Sequence, residues 1–138
     1  MGLLDDMGIK VAAISGDYTL GTNLFLSLMP ENPDVCTVLI ENGGTKGAYT
    51  LAGDGLPEWE NQSLQFIHRN TVYSTGRTAA DLIYRTLTAV VNETINSDFY
   101  LRIEALGVPQ VFERDDTRRV LFTCNFDVMR KTAASAGG

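Results

Sequence analysis

Histidine is almost missing from this chain: His68 is the only one among 138 residues. A Ser-His-Asp arrangement would have to use it, and no strained GxSxG elbow stands near it. The bland reading is a strand residue near a sheet surface. Cysteine is scarce too. Cys36 and Cys124 are far apart, each inside an apolar run, and no Cys/His spacing of the zinc type exists. They read as buried free thiols of a cytosolic protein. Runs of Lys and Arg are absent, and 11 basic residues against 17 acidic ones leave a net charge of -6. That balance opposes binding to the outside of a nucleic acid, where affinity comes from basic residues meeting phosphates. No apolar run approaches the roughly 18–20 residues of a membrane-spanning helix, so no membrane partner is expected. The opening MGLLDDMGIK places acids where a secretory leader wants positive charge, so no leader is expected either.

Two weaker signals also fail. GGTKG at residues 43–47 looks like a phosphate loop, but it lacks the GxxxxGK[ST] spacing and leads into AYTL rather than a helix. Asp115 and Asp116 are adjacent and splay apart on a turn, and with Arg114, Arg118 and Arg119 around them they read as a solvated turn. No catalytic, cofactor-binding or metal-ligating residue is assigned, and no cofactor is expected.

What is present suits one packed domain. The length fits a single core without metals or disulfides, and 44% apolar with 20% charged residues is ordinary for a globular chain. Leu3, Leu4, Met7, Val11 and Ile14 recur at helical spacing, which predicts a helix over residues 3–15, with Asp5 and Asp6 suiting its positive end. DYTLGTN is turn-rich, and Leu24 to Met29 reads as a short strand. Pro30 and Pro33 then withhold helix and two backbone donors. Val35 to Glu41 is a strand rich in β-branched residues.

Residues 42–62, NGGTKGAYTLAGDGLPEWENQ, hold five glycines and one proline and read as a long projecting loop, with room for a small hairpin around AYTLAGDG. Loops of about 20 residues are uncommon in compact domains unless functional. Leu64 to Asn70 returns as a strand. Ala80, Ile83, Leu87, Val90 and Val91 place the main helix at 76–94, with Ser74 or Thr78 as cap. Tyr100 to Leu106 is a strand, broken at Gly107-Val108-Pro109 and continued over Val111 to Arg114. Val120, Phe122, Cys124, Phe126 and Val128 alternate with Leu121, Thr123, Asn125, Asp127 and Met129, the clearest strand in the chain. The expected fold is α+β. Four to five mostly antiparallel strands carry two helices on one face, in one domain over 1–130, and 131–138 form a flexible tail.

The material left over for function is apolar and sits in the glycine-rich stretch: Tyr49, Leu51, Leu56, Pro57 and Trp59. Aromatic residues there are costly in water unless covered. Trp59, the single tryptophan, either tucks back over the core or anchors a partner. With Gly43 and Gly44 at the strand exit, Tyr49, Leu51, Leu56 and Trp59 are the candidate interface residues.

Three blocks carry a resemblance. GTNLFLSLMPENPDVCTVLIENGG has a short strand ending in Met-Pro, then Pro-Asp, then an apolar strand ending at Gly43-Gly44. LQFIHRNTVYSTGRTAADLIYRTL has a strand ending near Arg69, a polar and aromatic link, and the main helix. GVPQVFERDDTRRVLFTCNFDV has a strand, an acidic turn and a final strand. Together, over about residues 10–130, they resemble the small minor-capsid or tail-terminator proteins of long-tailed bacteriophages. The resemblance implies a structural virion protein of the tail-neck region, assembled in the host cytoplasm. It would form a ring of generally six copies on the head-proximal end of the tail tube, where it stops tube growth. Its partners would be itself, the tail-tube protein and the head connector or stopper, with DNA passing through the channel without specific binding. The family offers no catalytic residues to carry over. Its projecting segment corresponds to Gly43-Gly44 and the residues after them, here rich in Gly, Asp and Glu. Two other readings stand beside it: a head-completion, neck or tail-tube protein, and a small enzyme or ligand-binding protein with residues 42–62 as a lid.

Overall fold

A computed structural model describes residues 2–14, 18–48, 59–114 and 119–131, with side chains described in all of these except 42–48, 59 and 112–114. Two helices, α1 (Leu3–Ala12) and α2 (Tyr73–Thr88), accompany seven strands. The strands are β1 (Leu24–Leu26), β2 (Cys36–Ala48), β3 (Trp59–Asn70), β4 (Val91–Ile95), β5 (Asp98–Ala105), β6 (Gln110–Arg114) and β7 (Val120–Lys131). They form one sheet in the order β1-β2-β3-β7-β5-β4, with β6 also paired to β7. Only β1 and β2 run parallel, so the α+β, mostly antiparallel expectation holds.

The strand count does not: seven are present among the described residues where four to five were expected. One extra strand comes from the end of the main helix. Helix α2 stops at Thr88, and Val91–Ile95 is strand β4. Asn96 and Ser97 take φ of 50° and 72° and join β4 to β5 through a two-residue turn. Two successive positive φ values are the backbone of the tight hairpin turns that match strand twist. The β-branched Val91, Thr94 and Ile95 suit that hairpin better than a helix end. The other difference lies at residues 42–48 and 59–62, expected as loop and found within β2 and β3. At its C-terminus β7 reaches Lys131, the first residue expected as tail.

Strand β7 organises the sheet. It pairs with β3 at twelve positions from Trp59↔Lys131 to Asn70↔Val120, and its other edge is shared by β6 and β5. The register explains its alternation. Phe122, Cys124, Phe126 and Val128 are buried, opposite His68, Phe66, Leu64 and Gln62 of β3. The helices cover that face: Leu3, Met7 and Val11 of α1 and Ala80, Ile83 and Leu87 of α2 join Leu39, Leu64, Phe66, Phe122 and Phe126 in one cluster. The α2 helix meets the sheet closely at Gly76. A Cβ there would stand 2.5 Å from Phe122 Cε2 and 2.9 Å from Asn70 Cβ, so only glycine fits without repacking. Both cysteines are free and buried. The β2–β3–β7 register puts Cys36 with Arg69 and Leu121, on the face opposite Cys124.

Candidate assembly surface

The β2–β3 hairpin gathers part of the expected interface. Gly43 and Gly44 lie within β2, and Trp59 opens β3, paired with Ala48 on one side and Lys131 on the other. Tyr49, Leu51 and Leu56 fall outside the described residues. The glycines do not release the chain. Between Glu41↔Leu64 and Gly44↔Gln62, β2 advances three residues while β3 advances two, and the same happens between Thr45↔Asn61 and Ala48↔Trp59. Each is an inserted residue in an otherwise continuous strand, and glycine is well suited to such bulges. The stretch read as a loop is therefore a bulged strand, and bulges bend and twist the strand that carries them.

Three side chains at the far end of this unit escaped sequence reasoning. Arg130 of β7 reaches Glu60 of β3 at 3.0 Å and Asp98 of β5 at 3.9 Å. The Tyr100 hydroxyl donates to Asp6 Oδ2. Asp5 and Asp6, read as equivalent at the helix start, are not: Asp5 accepts from the Gly2 amide at 3.3 Å, while Asp6 turns inward and is fully buried. Burial pushes the Asp6 carboxyl up to about 6, with the nearby Asp98 carboxyl adding to the rise and the Tyr100 bond opposing it. Burial likewise raises the Tyr100 phenol. The only legible hint was an acid four residues before Lys10 on an otherwise apolar helix face.

At the near end, two arginines fix the approach to β2. Arg69 donates from Nε to the carbonyl of Asp34 at 3.2 Å and from Nη2 to the carbonyl of Glu31 at 3.1 Å, and also to the carbonyl of Pro33. Arg119 donates to the Glu31 carbonyl at 2.8 Å and meets the carboxylates of Glu31 and Asp34 at 3.3 Å each. The Asn32–Pro33 peptide within this segment is cis. The buried guanidiniums hold the way into the strand in place. Arg119, expected on a solvated turn, is buried.

His68 is also buried, which corrects its expected place near a sheet surface. Its Nδ1 lies 2.8 Å from Thr37 Oγ1 and its Nε2 lies 3.2 Å from Asn70 Nδ2. The amide of Asn70 can only donate from Nδ2, so Nε2 accepts and the Nδ1 proton goes to Thr37. Burial lowers its pKa to about 4. A hydroxyl beside an imidazole has the outline of a nucleophile and base. Thr37 is fully buried, however, and a base this weak is far from the pKa that general-base work near neutrality wants. Among the described residues, no group of three or more His, Cys, Asp or Glu is placed to hold a metal ion, and no helix is long and apolar enough to cross a membrane.

The surface is thus a bulged three-stranded unit, tied at one end by ion pairs and at the other by an arginine clasp. Comparison with known families agrees with an assembly role. The family model described as bacteriophage tail terminator protein matches residues 12–131, and the chain belongs to that family. The family is structural rather than enzymatic, and membership makes the protein a virion component. No curated protein shows a significant match to the chain.

Proposed function

We propose that this bacteriophage tail terminator closes into a ring, with six copies, on the head-proximal end of the tail tube. There it stops tube polymerisation and presents a face to the head connector or stopper. Assembly takes place in the host cytoplasm, and the ring ends in the tail-neck region of the virion. The observation that carries this reading is the family match over residues 12–131, nearly the whole described domain. Closed rings follow when identical head-to-tail contacts meet at a rotation that closes. The net charge of -6 suits a channel through which DNA slides without being held, because acidic groups repel phosphates.

The β2–β3 hairpin is the element offered to the neighbouring protein. Its bulges set its direction, and β7 backs β3 along its whole length. Trp59 and the residues it follows supply the anchoring contact.

The test adds the protein to polymerising tail-tube protein and follows tube length by electron microscopy. Tubes should stop at fixed length with an extra ring at one end. Trp59→Ala should weaken capping while leaving the thermal unfolding midpoint close to the parent's. Tubes that keep lengthening at saturating protein, with no ring alone or on tube ends, would overturn the terminator role and favour a neck or head-completion role instead.

A further inference from the structure

We infer that α1 is held to the sheet by a proton-controlled latch, in which the buried carboxyl of Asp6 and the Asp98 carboxyl beside it share one proton. With that proton the pair clasps the helix to the β4–β5 hairpin. Without it the pair pushes the helix away while the sheet stays folded. The latch uses none of the groups on which the ring reading depends.

Asp6 is an uncommon residue to bury. It stands in the first turns of α1, between the core residues Leu3 and Met7, and is fully removed from water. An aspartate in that position is almost always paired. Asp6 has no ion pair among the described residues. Its Oδ2 accepts from the Tyr100 hydroxyl, and its Oδ1 has no hydrogen-bond partner. Asp98, the first residue of β5, brings a second carboxyl against it, and the side chain of Asn96 on the preceding turn faces it as well. The cation of the group belongs to Asp98: Arg130 of β7 lies 3.9 Å from it, meets the Tyr100 hydroxyl and gives its Nε to Glu60 at 3.0 Å. Two carboxyls at this range repel when both are charged, and a single proton between them turns the repulsion into a hydrogen bond. Burial first, and then Asp98, push the Asp6 carboxyl up to about 6, against the donors Tyr100 and Asn96.

The two sides of the latch are not equally fixed. Asp98, Tyr100 and Arg130 sit in the strand ladder, where Asp98 pairs with Ile95 and Tyr100 with Arg130. Helix α1 has ten residues, too few to persist in water without its packing. Leu3, Met7 and Val11 give it an apolar grip that is indifferent to pH, and Lys10 pairs with Glu93 of β4 at 2.7 Å. The helix is therefore the side that moves. Between 3.8 and about 6 the docked helix holds a proton that the released helix has lost. Docking accordingly weakens as pH rises through that window and is weakest above it. At neutral pH α1 is the element that opens first, a local event rather than global unfolding.

The experiment follows amide hydrogen exchange of the full chain by mass spectrometry at pH 5 and pH 7.5, with labelling times scaled to the intrinsic rate at each pH. Peptides from β7, paired on both edges, serve as the internal reference. Opening of α1 should increase about tenfold relative to β7 from the lower pH to the higher. Asp6→Asn cannot titrate, so its α1 should exchange alike at both pH values. Asp98→Asn is the second variant: its amide can donate to the Asp6 carboxylate, so α1 should be better protected at pH 7.5 than in the parent. A parent whose α1 and β7 respond alike to pH would overturn the latch, as would an Asp6→Asn chain that keeps the parent's change. An Asp98→Asn chain that loses α1 protection at both pH values would overturn it too, leaving Asp98 a plain structural contact.

Discussion

The two ends of β3 pair with the same two strands, β2 and β7, yet they are held by different forces. From Leu64 to Asn70, Leu64, Phe66 and His68 sit under the helices, and even Arg69 and Asn70 are buried. From Glu60 to Ser63 every residue is polar and only half-buried. The ladder to β7 is continuous through both. The difference lies in the area removed from water, the term that scales most directly with stability. At the polar end, cross-strand pairs such as Glu60–Arg130 hold the register instead, each contributing a fraction of a kcal/mol. β3 thus gives its apolar residues to the core at one end and keeps a polar end opposite the bulges of β2.

The sharpest way to break that comparison is at the buried end. Phe122→Ala should cost about 3–5 kcal/mol in chemical denaturation, as large-to-small core changes do. Its ring packs against Tyr73 at 5.7 Å and His68 at 6.4 Å between centroids. A loss under about 1 kcal/mol would show that this end is not core.

Titration separates two buried groups that oppose each other. The Asp6 carboxyl rises from 3.8 to about 6 in the folded chain, so between those values the folded state holds a proton the unfolded state has lost. Stability from Asp6 therefore falls as pH rises through that window. His68 drops from 6.5 to about 4, so there the unfolded state binds more protons and stability rises with pH. Each is worth roughly 3 kcal/mol at full expression, and together they nearly cancel. Asp6→Asn should expose a rise in unfolding free energy between pH 4 and 6.5, and His68→Gln should expose a fall. Parallel slopes in both variants would refute the pairing of these two groups.

Arg69→Ala tests the clasp. It removes the donors to the carbonyls of Glu31, Pro33 and Asp34, and should cost about 2 kcal/mol, the penalty of a buried acceptor left unpaired. The cut sites of limited proteolysis should move to residues 30–35. The smallest effect belongs to the polar end. Glu60→Gln should cost under about 1 kcal/mol, because its pair with Arg130 is partly solvated. A larger loss would make the two ends of β3 alike.

Local pattern alone determined much of this protein. The alternation over Val120 to Met129, the helical spacing of Leu3, Met7 and Val11, and that of Ala80, Ile83 and Leu87 were all legible, because period and burial face are local properties of a chain. So was the family, since the spacing of Pro, Gly and apolar runs survives without a fold in hand. Tertiary structure decided the rest. Glycines at 43, 44 and 47 read as loop because propensity counts them against a strand, and only pairing with β3 turns them into bulges. Val91–Ile95 continued a helical spacing until β5 offered its edge. Which of Asp5 and Asp6 is buried and why His68 stays neutral depend on neighbours as far as 94 residues along the chain. Such contacts leave no mark on local spacing.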